Sequence, residues 1–306
     1  MFSKLESGMS IPKLSNFPKR VTIELTNLCN LNCRMCPRHY MDYPGGFIAP
    51  SLFKNLVDEM RDNHSEVMVP FFRGESLLHT DFLNLMTYAK KKELAIQLAT
   101  NATLITRKLS SSMIDLGLDF ISISIDSINP VNYESIRRGS NLSKIVNAVE
   151  TLINEREKRL STKPVLQVSA VDTGMTDDVK KEFVDFWWNK VDRVRIYPEH
   201  TKQGKFGALS LDGVDQSERL PCHKPFTEMV VYWDGRAAAC NHDWNRHEGL
   251  GDISREGLHG TWTSQPYERF RAEHLENRFK ENNVCRDCDH WRQYYNQDGL
   301  IGELFE

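Results

Sequence analysis

Residues 24–38 read E-L-T-N-L-C-N-L-N-C-R-M-C-P-R, which packs three thiols, Cys29, Cys33 and Cys36, into an eight-residue window. A structural zinc site takes four donors, commonly in two separated pairs, so this C-x3-C-x2-C run is too tight and one ligand short for it. Three thiolates on a short loop can instead hold three corners of a [4Fe-4S] cube and leave the fourth iron open. The plainer alternative is three unrelated cysteines, or a redox pair at Cys33 and Cys36.

Working outward, the loop follows an apolar stretch with β-branched residues, Val21-Thr22-Ile23, and 20–25 is expected to be a strand whose end delivers the cysteines. Pro44-Gly45-Gly46 marks a turn. The segment 51–61 then puts Leu52, Phe53, Leu56, Val57 and Met60 on one helical face, and 66–72 is an apolar run of strand length. The alternation continues with helices over 81–91, 106–116, 143–158 and 177–189, and strands over 94–99, 120–125, 165–170 and 194–197. Strands alternating with helices predict an α/β fold with a parallel sheet and right-handed crossovers. About six strands fit before the pattern stops near residue 200, too early for a closed eight-stranded barrel of about 250 residues.

The 306-residue chain has a formal net charge of -3 with 26% charged residues, which gives no basic surface for nucleic acid and no attraction to an anionic membrane. Neither the stretch before Pro18 nor any later one approaches the run of about 18 apolar residues that a membrane span needs. A cytoplasmic location is expected. The seven cysteines fall as the triplet and a dispersed quartet, Cys222, Cys240, Cys285 and Cys288. An odd count in a chain of this size disfavours a disulfide framework, and metal ligation in a reducing compartment accounts for all of them.

Placed directly after 21–23, the C-x3-C-x2-C run resembles the cysteine motif of the radical S-adenosylmethionine (SAM) superfamily, with Met35 where the family often has an aromatic residue. That resemblance implies a partial (β/α)6 TIM-like barrel. It also implies a free iron that chelates the amino and carboxylate groups of SAM. One-electron reduction, by a flavodoxin- or ferredoxin-type partner, would then cleave SAM to methionine and a 5'-deoxyadenosyl radical that abstracts a substrate hydrogen.

Ligands of such barrels bind at the carboxyl ends of the strands. Phe71-Phe72-Arg73-Gly74-Glu75-Ser76 resembles the family's Gly-Gly-Glu-Pro segment, with Arg73 and Ser76 as departures, so Gly74 and Glu75 alone are carried over as SAM contacts. Ala99-Thr100-Asn101-Ala102-Thr103-Leu104 resembles Thr-Asn-Gly-x-Leu, which offers Asn101 to the ribose or methionyl part; a helix cap is the equal alternative. Strand alternation puts Ser122, Ser124 and Asp126 on one face, in a stretch similar to Ser-x-Asp-Gly; Ser124 is expected at the SAM carboxylate or ribose, with Asp126 nearby. The stretch 133–139 resembles the family segment that presents an arginine, here Arg137 or its neighbour Arg138, to fork onto that carboxylate, and Gln167 is expected to meet the ribose.

The second site rests on Cys222, the turn Trp233-Asp234-Gly235-Arg236, Cys240 and Cys285-x2-Cys288. The Asp-Gly hairpin brings Cys222 and Cys240 together. Spacing alone leaves zinc or an iron-sulfur cube open. Downstream of the first motif, the pattern resembles a SPASM/Twitch auxiliary module in its one-cluster form, which implies an auxiliary [4Fe-4S] cluster on the four cysteines. Glu199-His200 and His242-Asp243 could face substrate, although solvated or capping roles are commoner for such pairs. Trp187-Trp188 is expected in core or interface.

The expected organisation is a leader at 1–19, the barrel at 20–200, a linker at 201–221, a small Fe-S domain of short strands and glycine turns at 222–291 and a tail at 292–306. If all seven thiols ligate iron, none remains as a hydrogen donor and the auxiliary cluster has no open iron. Net two-electron oxidation is therefore expected, and the resemblance to one-cluster relatives implies a sugar or aminocyclitol carbinol as the group oxidised. Peptide epimerisation or crosslinking is the alternative, weakened by the lack of an evident recognition extension before Arg20. A non-catalytic electron-transfer or binding module is a third possibility.

Overall fold

The structure, a computed structural model, describes residues 13–202, 205–206, 219–246, 249–279 and 284–295. Six strands, β1 (Arg20–Ile23), β2 (Val67–Val69), β3 (Ala95–Thr100), β4 (Phe120–Ser124), β5 (Val165–Asp172) and β6 (Arg193–Pro198), lie side by side in chain order, every neighbouring pair parallel. Between them run α1 (Pro50–Asp62), α2 (Phe82–Lys91), α3 (Arg107–Asp115), α4 (Pro130–Ile136), α5 (Leu142–Lys158) and α6 (Asp177–Trp187). Side-chain oxygens of Thr106, Asn129, Asn141 and Thr176 accept from backbone N–H groups of the first turns of α3 to α6, which satisfies donors that the helix itself cannot. The short α4 escaped the periodicity analysis; its signal is the cap Asn129 followed by Pro130 at the first helical position.

One face of the sheet is the core. Val21, Ile23, Met68, Ile96, Leu98, Ile121, Ile123, Leu166 and Val168 are essentially fully buried and cluster with apolar helix residues such as Phe53, Leu56, Val57 and Met60 of α1. The other face carries Gln97, which accepts from Arg20, and Ser122, which bonds to both Gln167 and Ser169.

Downstream of β6, Thr201–Lys202 (β7) and Lys205–Phe206 (β8) form a small antiparallel pair, and the rest of the expected linker up to residue 218 lies outside the described residues, as do most of the leader and of the tail. Next come α7 (Lys224–Thr227), β9 (Glu228–Val231), β10 (Ala237–Ala238), α8 (Ile253–Trp262) and α9 (Gln265–Glu276). Instead of standing apart, this module continues the barrel sheet. β9 pairs parallel with β1, from Arg20 opposite Glu228 to Ile23 opposite Val231, and β10 folds back on β9, giving the order β10-β9-β1-β2-β3-β4-β5-β6. β1 would otherwise be an unpaired edge of an open barrel, and the hairpin covers it.

The module is also more helical than its glycines imply. Gly257 breaks the apolar period of α8 at φ +72, and a Cβ there would meet the Glu59 carboxylate at 2.7 Å. Glu59, on α1, accepts the N–H groups of Leu258 and His259 at 3.1 Å each, so it caps the second half of α8 from across the molecule.

Candidate active site and second cysteine site

The cysteine loop leaves β1 and is held from three sides. Thr26 Oγ1 donates to Gly46 O at 2.6 Å and accepts the Leu28 N–H at 3.0 Å. Glu75 N–H donates to Leu28 O at 2.8 Å. The end of α4 and the residues after it grip the far end: Asn32 N–H donates to Arg138 O at 3.0 Å and Arg34 N–H to Ile136 O at 2.8 Å. Held this way, Cys29, Cys33 and Cys36 line one pocket with Arg38, Arg138 and Gly139. Burial pushes the Cys33 thiol up to about 11, with Arg137 acting in the opposite direction, and raises Cys36 as well. Buried thiols of this kind ionise only against a compensating positive centre, as metal ligation provides.

Gly74 has a local reason to be glycine. A Cβ there would lie 2.3 Å from Thr26 O and 2.4 Å from Leu28 O, so the end of β2 can lie on the cysteine loop only without a side chain. Glu75 is buried, and both its oxygens are engaged: Oε1 accepts from Thr100 Oγ1 at 2.9 Å and Leu77 N–H at 3.1 Å, and Oε2 from Asn101 N–H at 2.8 Å. It therefore ties the end of β2 to the end of β3 and sets the backbone of Asn101. Burial raises its pKa, with those hydrogen bonds acting the other way.

Two of the expected SAM contacts stand at the thiols. Asn101 Nδ2 is 3.7 Å from Cys29 Sγ, and Arg137 Nη1 is 4.0 Å from Cys33 Sγ. Of the two adjacent arginines, Arg137 is the one that turns to Asp126, with Nε donating to Oδ2 at 2.6 Å, while Asp126 Oδ1 accepts the Val171 N–H at 2.9 Å. Ser124 is half-buried at the end of β4. Gln167 sits lower on the ladder, opposite Ser122, and Nε2 donates to Ser122 Oγ at 3.0 Å and Tyr197 Oη at 3.4 Å.

A buried ion pair that sequence reasoning missed joins the two halves. Arg73, a departure from the glycine of the motif, donates through Nε and Nη2 to the two oxygens of Glu24 at 2.7 Å each, and through Nη1 to Trp244 O at 2.8 Å. Both side chains are wholly buried, and the guanidinium stacks over the Tyr232 ring at 4.3 Å. Burial opposes the charge on Arg73, but the hydrogen bonds and charge of Glu24 outweigh it and raise the pKa. Trp233 N–H adds a 3.2 Å bond to Glu24, so the module's hairpin is fastened to the strand that delivers the cysteines.

In the module, Cys222, Cys240, Cys285 and Cys288 line a single cavity with His242 and His290. Arg219 Nη1 donates to Arg286 O at 3.2 Å and Cys288 O at 3.1 Å, pinning the Cys-x2-Cys turn. Burial pushes Cys288 up to about 12 and raises Cys222, Cys240 and Cys285. Among the described residues no three such side chains converge on a point that would hold a single ion. Four thiols lining one cavity are a donor set that a four-iron cube takes. All seven cysteines are free, and each lines one of the two cavities.

His242 is buried beside this cavity, packed between His200 and His290 at centroid distances of 4.5 and 4.4 Å. Asp243 is fully buried and accepts the Ala239 N–H at 3.1 Å, a structural role in place of the substrate-facing one considered for it. Trp187 is core and Trp188 is exposed.

Comparison with known proteins bears on these two sites. Residues 23–186 match the Radical SAM superfamily, and residues 222–289 match SPASM, an iron-sulfur cluster-binding domain. The chain is 23% identical over 300 residues to the tungsten-containing aldehyde ferredoxin oxidoreductase cofactor-modifying protein of Pyrococcus furiosus, covering 83% of each. BtrN, solved in complex with AdoMet and 2-DOIA, superposes with a TM-score of 0.60 at 16% identity over 89% of this chain and 92% of its own. Streptococcus suis SuiB bound to precursor peptide SuiA gives 0.67 at 14% identity over 91% of this chain and 71% of its own. At these identities the structural likeness is one of fold. The matched domains imply [4Fe-4S] clusters and SAM as cofactors, which agrees with the two thiol-lined cavities. With more than half of its length inside the first match, the chain belongs to the radical SAM superfamily.

Proposed function

We propose that this radical SAM enzyme abstracts hydrogen from a carbinol carbon of a sugar or aminocyclitol and carries it through a net two-electron oxidation. The observation behind this is the second cysteine site. Its four thiols surround one cavity, so a cube held by Cys222, Cys240, Cys285 and Cys288 has a protein ligand on every iron and none open to substrate. With Cys29, Cys33 and Cys36 assigned to the other site, all seven cysteines are used and no thiol is left to return a hydrogen atom. A redox-neutral epimerisation that relies on such a thiol has no donor. When bound, the clusters and SAM supply the 5'-deoxyadenosyl radical for the abstraction and an acceptor for the second electron.

The chain's own residues then bind and orient. Cys29, Cys33 and Cys36 hold the SAM-binding cluster. Arg137, fixed by Asp126, receives the SAM carboxylate on its planar fork. Asn101, its backbone set by Glu75, meets the methionyl or ribose part, and Ser124 and Gln167 serve the ribose. Gly74 lets the β2 end seat the loop. We assign 20–200 to the barrel and 222–291 to the auxiliary-cluster domain, and a flavodoxin- or ferredoxin-type protein as the reductant. Among the described residues no helix is long and apolar enough to cross a membrane. Reduced thiols and clusters of this type suit the cytoplasm.

Anaerobic turnover with reductant, SAM and a panel of sugars and aminocyclitols tests the proposal. One oxidised product per 5'-deoxyadenosine is the expected result. A product of unchanged oxidation level would rule the oxidation out.

A further inference from the structure

The inner face of the barrel is polar, and its β3 and β6 residues keep part of their surface exposed. Along β3, Ile96, Leu98 and Thr100 are buried, while Ala95, Gln97 and Ala99 between them keep part of their surface exposed. On β6, Arg193 and Arg195 lie opposite Gln167 and Ser169 of β5. Gln167 bonds to Ser122 and to Tyr197, which fixes Arg193, Arg195 and Tyr197 as facing inward. The Arg195 guanidinium stacks over the Tyr197 ring at 4.4 Å and makes no ion pair among the described residues. From the opposite border, Arg20 of β1 donates to Gln97 Oε1 at 2.8 Å and lies near Tyr197 and Glu228. β1 and β6 are the first and last barrel strands, and β9 and β10 of the module continue the sheet beyond β1. Glu228, the carboxylate on the β9 side, pairs with Lys224 at 3.1 Å and also acts on Arg20.

We propose that the substrate carries an anionic group, a phosphate or a carboxylate, which Arg195 takes on its guanidinium fork. A planar fork already stacked on an aromatic ring loses little freedom on binding such a group. This rests on the oxidation reading above and narrows it. A polyamine-bearing aminocyclitol would meet charge of its own sign, whereas a sugar bearing a phosphate or carboxylate meets its complement.

The test uses full-length reconstituted protein with SAM bound, and calorimetry with pyrophosphate, malonate, glucose and glucosamine as probes. Wild type is expected to bind pyrophosphate or malonate, the tighter of the two naming the anion, and to bind both sugars more weakly. Arg195→Gln should weaken that anion by about tenfold or more, as loss of a charged bidentate contact does, and Arg195→Lys by less. Glucosamine binding as well as the anions, or anion binding unchanged in Arg195→Gln, would overturn the proposal. So would a shifted auxiliary-cluster potential in Arg195→Gln with anion binding intact, which would place Arg195 in service of the cluster. Counting 5'-deoxyadenosine in the same preparations separates the two levels: its absence defeats the oxidation reading, while the calorimetry still decides the charge of the ligand.

Discussion

At the scale of single residues, the Glu24–Arg73 pair carries the strongest consequence. Two fully buried charges are tolerable only because every polar atom has a partner, and truncating one leaves the other stranded in low dielectric. Arg73→Ala is expected to lower unfolding stability by about 3–5 kcal/mol in urea titrations of the anaerobic protein. A loss within about 0.5 kcal/mol, the size usual for an unremarkable surface change, would show that the pair is not the fastening it looks to be. Half of this pair was visible in the sequence: an arginine replaces a small residue at a strand end where the motif wants glycine. Its partner was not, because the bond spans 49 positions and neither residue type nor spacing names a contact at that distance. The triplet Cys29, Cys33 and Cys36 was legible for the opposite reason, since its members stand within eight positions. Choosing Arg137 over Arg138 likewise needed the side-chain direction that only the Asp126 contact supplies.

At the scale of elements, the cysteine loop is positioned by backbone contacts more than by its own sequence. The loop is clamped between the β2 end and the end of α4 with the residues after it, and Gly74 is where the first of these comes closest. Gly74→Ala should push the two apart, cost about 1–3 kcal/mol as overpacking does, and reduce iron retained by a Cys222→Ser/Cys240→Ser background, which isolates the first site. Iron content equal to that background would mean that the loop keeps its place without the close approach. The barrel strands and most of their helices could be read from alternating periodicity, because each buries one face against the same core. The hairpin's union with β1 could not, since β9 is some 200 positions away and parallel pairing leaves no local turn signal. Nor could α8, whose Gly257 interrupts the period for the sake of Glu59 on another helix.

At the scale of the molecule, one sheet carries both cysteine sites, so their spacing is fixed by strand pairing and by the Arg73 fastening rather than by a linker. Removing the auxiliary cluster should therefore leave the first site in place. In a Cys285→Ser/Cys288→Ser variant, SAM is expected to be cleaved still, while oxidised product falls at least tenfold per 5'-deoxyadenosine formed. Product kept in proportion to 5'-deoxyadenosine would remove the auxiliary site from the reaction.

The most direct measurement is iron content together with the electron paramagnetic resonance of the reduced protein, with and without SAM. Two four-iron clusters correspond to about eight irons per chain, one of whose signals shifts when SAM is added and disappears in the Cys29→Ala/Cys33→Ala/Cys36→Ala variant. About four irons in the wild type, with a spectrum that SAM leaves untouched, would contradict a two-cluster SAM-cleaving enzyme.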